Sequence, residues 1–132
     1  MKNPLWRLGV LLLLLAVFSG GCAGSRRKDP TVILRSQRVQ ATLVEIGSAL
    51  DQFRADHGSY PEGLAALRDQ VYLLMMPDLE RDWTFSFKAD GEKILLIEAV
   101  SQEAMADGPG YKIIYRVPGN DWEGYGITVW PR

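Results

Sequence analysis

Few side chains in this sequence are equipped for chemistry. Among 132 residues there is one cysteine, Cys22, and one histidine, His57. A lone cysteine excludes an intramolecular disulfide, and a single Cys with a single His cannot build a structural zinc site. His57 has no cysteine for a dyad, and Ser59 stands too near it in sequence for a triad. Its expected place is a helix C-terminus, where positive charge is favourable. Asp107, Asn120, Asp121 and Glu123 carry oxygens of the kind calcium takes, but their spacing matches no EF-hand and they read more plainly as turn residues. No glycine-rich phosphate loop follows a predicted strand. The expectation is therefore no catalytic residue, no cofactor and no metal, and a chain that is not an enzyme. With 15 basic against 16 acidic side chains it has no basic face for nucleic acid, and 47% hydrophobic residues is an ordinary globular composition.

Cys22 gains its meaning from what precedes it. Lys2 and Arg7 make a basic start, and Leu8 to Phe18 is an apolar run too short to span a bilayer comfortably, which takes about 20 residues. The small residues Ser19-Gly20-Gly21 then lead directly into Cys22. A basic start, a short apolar run and small residues are the pattern of an export signal. The stretch ending in Cys22 resembles the lipobox of bacterial lipoproteins, with Ser19 standing where that family usually has Leu. The resemblance implies cleavage before Cys22, a diacylglyceryl group on its sulfur and an amide-linked acyl chain such as palmitate on its nitrogen. The competing reading is an uncleaved anchor with an incidental cysteine. Ala23 follows the cysteine, whereas Asp there favours inner-membrane retention in didermal members. The implied location is the cell envelope, on the periplasmic face of the outer membrane if the organism is diderm.

Three segments follow from this: a signal peptide over 1–21, a lipidated cysteine with a flexible tether over 22–30, and a globular domain over 31–132. The tether is polar and unpatterned. Its eight residues after Cys22 reach at most ~29 Å, which keeps the domain close to the membrane. Arg26, Arg27 and Lys28 are placed to meet anionic headgroups or to remain solvated.

The domain must supply the elements that position everything else. Asp29-Pro30 is a helix start, an N-cap acceptor followed by proline in the first turn. The spacing of Val39, Leu43, Ile46, Leu50 and Phe53 predicts a long amphipathic helix from Thr31 to His57, stopped by Gly58. A short helix is expected over Glu62 to Gln70, with Leu64, Leu67 and Val71 inward. The apolar stretch Val71 to Met76 extends that helix or lies as a buried connector, and Pro77 ends it. Trp83, Phe85 and Phe87 alternate with polar residues as a half-buried strand does. Asp90-Gly91 predicts a hairpin to a strand over Lys93 to Val100. After a loop over 101–110, strands are expected over Tyr111 to Val117 and Tyr125 to Trp130, joined by a turn carrying Trp122. The expected class is α+β, the long helix lying on one face of a four-stranded antiparallel meander.

The segment Ile46-Gly47-Ser48-Ala49-Leu50-Asp51-Gln52-Phe53-Arg54-Ala55-Asp56-His57-Gly58-Ser59-Tyr60-Pro61, with Gly63-Leu64-Ala65-Ala66-Leu67 after it, is similar to the head domains of type II secretion pseudopilins and type IV pilins. The match covers about a fifth of the domain. It implies a pilin-like head and an association with a type II secretion or pilus-like system. The chain departs from that family in two places. It has no prepilin cleavage site ahead of the apolar run, and residues 119–126 lack the Asp- and Gly-rich calcium loop.

The expected function is a non-enzymatic, membrane-anchored interaction or structural component of the envelope, a monomer or weak oligomer. Its partners would be the bilayer, through acylated Cys22, and an envelope or secretion-system protein. The alternative is a ligand-binding lipoprotein that uses the sheet face or Trp122, which in an exposed turn would suit a partner or saccharide; the plainer role for Trp122 is packing.

Overall fold

The computed structural model describes residues 29–128. The signal segment, Cys22, the tether bases Arg26, Arg27 and Lys28, and Trp130 lie outside them. Helix α1 runs from Pro30 to His57. The Asp29 carboxylate accepts the Thr31 N–H at 2.8 Å, satisfying one of the free donors of the first turn. At the other end Gly58 takes a left-handed φ of 83° and its N–H closes on the Arg54 carbonyl. Glycine does this without a Cβ clash, so the sequence that starts the helix and the sequence that stops it are both local.

Two short helices follow, α2 over Leu64–Asp69 and α3 over Pro77–Asp82. The second corrects an expectation. Pro77 was expected to end an element, but it begins one: proline is at home in a first turn, where its missing N–H has no helical acceptor to bond. Asp78 and Glu80 then place negative charge at the positive end of the α3 dipole.

The sheet is an antiparallel meander in the order β1-β2-β3-β4, with β1 over Trp83–Ala89, β2 over Ile94–Ser101, β3 over Lys112–Arg116 and β4 over Asp121–Gly124. The β1–β2 turn is held by Asp90, whose carboxylate accepts the N–H groups of Glu92 and Lys93. Phe87, Ile97, Tyr115 and Trp122 stand in one cross-strand row, and Phe85, Ala99 and Ile113 in the next.

The expected fourth strand over Tyr125 to Trp130 is also corrected. Pro118-Gly119-Asn120 turns the chain within a single 3-10 turn, Asn120 in the left-handed region, and the strand begins at once with Asp121. It ends at Gly124, whose φ is 116° and whose missing Cβ leaves room for the Lys112 carbonyl. Trp122 is therefore on a strand and not in a turn.

The core lies between α1 and the sheet. Val39, Leu43, Ile46 and Leu50 are fully buried, facing Ile97, Ala99 and Ile113, with Phe53, Leu67, Leu73, Leu79 and Trp83 closing the α2–α3 side. Gly47 sits against Ile97, and a Cβ there would come within 3.3 Å of the Ile97 side chain. Truncating a side chain at this layer loses its transfer free energy and leaves a cavity. Leu50→Ala and Phe53→Ala should each lower stability by about 2–5 kcal/mol in urea melts. Losses below about half a kilocalorie would mean that another face of α1 is the buried one.

Candidate interaction surface

Of the residues singled out from the sequence, the described structure places His57, Asp107, Asn120, Asp121, Glu123 and Trp122: Asn120 to Glu123 follow one another at β4, while His57 and Asp107 make their contacts on other elements. His57 lies in the last turn of α1, stacked on Phe53 with ring centroids 4.0 Å apart. Its Nδ1 is 3.0 Å from the Phe53 carbonyl oxygen, a geometry in which it donates a capping hydrogen bond. Asp107 pairs with Arg35, and Glu123 with Arg116. Among the described residues no group of three or more His, Cys, Asp or Glu side chains is placed to hold a metal ion. Trp122 is half-buried on β4 and stacks on Tyr115 at 4.2 Å, nearly parallel. One ring face is thus occupied by a neighbour across the strand, which is a packing arrangement.

Two polar clusters fix the ends of α1. At its start, Arg35 Nη1 lies 2.7 Å from the Asp107 carboxylate and 2.7 Å from the Tyr125 hydroxyl, which itself donates to Asp107. Burial, and then the bond to Asp107, push the Tyr125 hydroxyl above its ordinary pKa. Tyr125 also contacts Trp83 and Tyr111. At the far end, the Tyr72 hydroxyl donates to Asp56 at 2.6 Å while its ring edge meets Phe53. That hydroxyl, with Gln52 second, holds the Asp56 carboxyl below the usual carboxylate range. Both clusters tie loops to the helix, and Tyr72 and Gln52 of the second also border a shallow groove.

What the described surface does offer is apolar. Along one side of α1, Leu34 and Val44 are exposed, and beside them the α2–α3 connector exposes Val71, Leu74 and Met76, with Leu74 81% accessible. Val44, Ser48 and Gln52 form one wall of a shallow groove whose other wall is Val71 to Leu74. Leu73 is buried and anchors the connector. Val71, expected inward, points out and is 69% exposed. Its backbone explains why. The Tyr72 N–H bonds the Leu67 carbonyl and the Val71 N–H bonds the Arg68 carbonyl, the paired bonds that close a helix through a left-handed residue. That residue is normally glycine, and here it is Val71 at φ 63°. A β-branched side chain in this region is strained. No periodicity marks the run from Val71 to Met76, so the sequence alone could not say which of its side chains would face water.

Comparison of the chain with protein-family models, with curated proteins and with solved structures found no match.

Two outcomes test this description. Val71→Gly should raise stability by about 0.5–1 kcal/mol in denaturant melts, because it relieves the left-handed strain and removes no buried contact. A loss of stability would mean that the valine packs where the backbone says it does not. Tyr72→Phe should let the Asp56 carboxyl return upward toward its ordinary pKa, read by NMR titration of side-chain carboxyl carbons. A depressed folded-state pKa contributes stability above the unfolded carboxylate pKa and loses it as pH falls through the folded one. The variant and the parent should therefore converge in stability in acid. An Asp56 titration identical in the two proteins would contradict the assigned contact.

Proposed function

We propose that this chain is a lipid-anchored, non-enzymatic interaction component of the bacterial envelope, a pilin-like head held at the membrane by acylated Cys22. The observation that carries the reading is the juxtaposition of two signals. The small-residue stretch Ser19-Gly20-Gly21 ends in the sole cysteine, and the folded head begins at the Asp29 cap of α1, a few residues later. Such a tether leaves no room for another domain between bilayer and head. A single acyl chain binds a bilayer only marginally, at about 0.8 kcal/mol per buried methylene, whereas several chains on one residue hold it stably.

Support for a role in interaction comes from the exposed large apolar side chains Leu34 and Val44 of α1 and Val71, Leu74 and Met76 of the connector beside it, since clustered exposed apolar residues mark contact sites. The helix-to-strand order and the Gly58, Tyr60 and Pro61 turn that ends α1 are in keeping with a secretion-associated pilin-like head. A filament is not part of this proposal. Pilin-type filaments keep their apolar N-terminal segment in the mature subunit, and here the apolar run precedes the proposed cleavage point. Stacked copies of Arg26-Arg27-Lys28 would also bring like charges together.

Cys22→Ser should abolish incorporation of labelled palmitate and leave the precursor unprocessed in whole cells. Equal labelling of parent and variant would remove the anchor from the reading. A pull-down with the full chain from envelope extracts separates the functional classes: recovery of secretion or envelope proteins fits the proposal, and a co-purifying small molecule with no protein partner fits a ligand-binding lipoprotein instead.

A further inference from the structure

We infer that the exposed apolar side of α1, formed by Leu34, Val44, Val71, Leu74 and Met76, rests on the bilayer surface that carries the acylated Cys22, so that the head lies against the membrane along its long helix. The inference rests on the anchored reading above and adds an orientation and a lipid-contact site to it.

Three observations point to this occupant. The first is position. Leu34 is in the turn that immediately follows the tether's attachment at Pro30, and Met76 sits beside Arg38 one turn further on. Val44, near the far end of the stripe, is about 21 Å along the helix axis from Pro30 at 1.5 Å per residue. The tether reaches ~29 Å, so the whole stripe can touch the bilayer with slack to spare. The second is size. Five side chains are far fewer than the roughly 20–30 residues that each side of a stable protein interface contributes. They are enough for a shallow apolar insertion once the anchor has supplied a high local concentration of bilayer. The third is the cost the chain bears to keep the surface apolar. Val71 occupies a strained left-handed position that glycine would fill freely, and its side chain is left in water. Strain retained at an exposed apolar residue signals a use for that residue.

The polar border also fits. Arg38 is paired with Asp78 at 2.8 Å, and Glu45 lines the groove. Exposed Gln37, Ser48 and Gln52 lie among the apolar side chains, so the side carries no cationic patch that would need anionic lipid, and zwitterionic phosphatidylcholine should suffice for the contact.

The test uses the full chain, processed and acylated, in phosphatidylcholine vesicles. With Cys22 blocked by its lipid, Leu74→Cys provides a single thiol for an environment-sensitive fluorophore. Met76→Cys is a second position in the stripe, and Ser86→Cys, on the exposed face of β1, is the control. Quenching by spin-labelled phosphatidylcholine should lower emission at residues 74 and 76 by roughly twofold and leave residue 86 nearly unchanged, as shallow insertion requires. Aqueous iodide should show the reverse order. Equal iodide access at all three positions would overturn the inference. Shielding from iodide at 74 and 76 without quenching by the spin-labelled lipid would overturn it too, since a second copy of the chain would then be the cover. The intact mass of the protein reports separately whether Cys22 is acylated. An acylated chain whose residue 74 stays in water loses the docking and keeps the anchor. An unmodified chain whose residue 74 meets lipid loses the anchor and keeps the docking.

Discussion

The structure depends on how closely α1 can lie on the sheet, and Gly47 stands where the two approach closely. It stands midway along the buried face of the helix, directly over Ile97 in the central row of β2. Without a side chain at this point the helix backbone settles onto the sheet, and Leu43, Ile46 and Leu50 interdigitate with Ile97, Ala99 and Ile113 on either side. Each fully buried leucine or isoleucine contributes about 1.5–3 kcal/mol relative to exposure, so this layer is the main source of cohesion in a domain of modest size. A Cβ at 47 would make the end of the Ile97 side chain give by a few tenths of an ångström, and a longer side chain would press further into this close-packed layer.

Once the helix is fixed, the remaining elements are tied to its two ends. The C-terminal segment crosses the first turns of α1 at Gly126. A Cβ there would come within 2.6 Å of Ser36 and 2.8 Å of the Val32 carbonyl, so the crossing requires glycine at φ 67°. Tyr125, next in the chain, completes the hydrogen-bonded set with Arg35 and Asp107. The loop that presents Asp107 is itself closed on Ser101, whose hydroxyl donates to the Gly108 carbonyl and accepts the Tyr111 N–H. Met105 plugs the loop from beneath. No buried side-chain nitrogen or oxygen among the described residues lacks a hydrogen-bond partner. The interior is thus apolar or fully satisfied, the condition for a uniquely packed core.

How much of this was legible beforehand followed from whether the deciding interaction was local. The ends of α1 were legible because Asp29-Pro30 and Gly58 act on their own backbone. The β1–β2 hairpin was legible because Asp90-Gly91 carries its own turn chemistry, and the α+β class followed from these elements. The fourth strand was misplaced because Tyr125 and Ile127 alternate as a strand does, while the decision belonged to a long-range fit: Gly124 and Gly126 take positive φ to clear Lys112 and Ser36. Those approaches are tertiary, and periodicity does not report them. The start of α3 was missed because Pro77 is equally a stop and a first-turn residue. The outward face of the connector was missed for a third reason. Val71 adopts a conformation its residue type disfavours, so any reading by propensity turns it the wrong way. Cys22 and its flanking bases belong to the sequence argument alone.

The way the sheet ends bears on which surface is left to meet a partner. Open sheet edges invite strand addition unless they are short, charged or bent. β4 is four residues long, carries Asp121 and Glu123, and ends at Gly124. Glu123 is engaged by Arg116 from the neighbouring strand. On the opposite edge, β1 slips register between Lys88 and Ala89 at its hairpin end. The β4 edge is therefore a poor template for another strand. The face of the sheet turned away from α1 mixes Leu96, Val100 and Ile114 with Lys88, Glu98, Lys112 and Arg116, so that no apolar stretch there runs free of charge. The side of α1 differs from all three. Leu34, Val44, Val71, Leu74 and Met76 are exposed there among Gln37, Glu45, Ser48 and Gln52, and the Arg38–Asp78 pair beside them is internally balanced. A domain with a short, charged β4 edge and a mixed sheet face, yet a strained valine exposed beside the middle of α1, leaves its most exposed apolar side chains on α1 and the connector that packs along it.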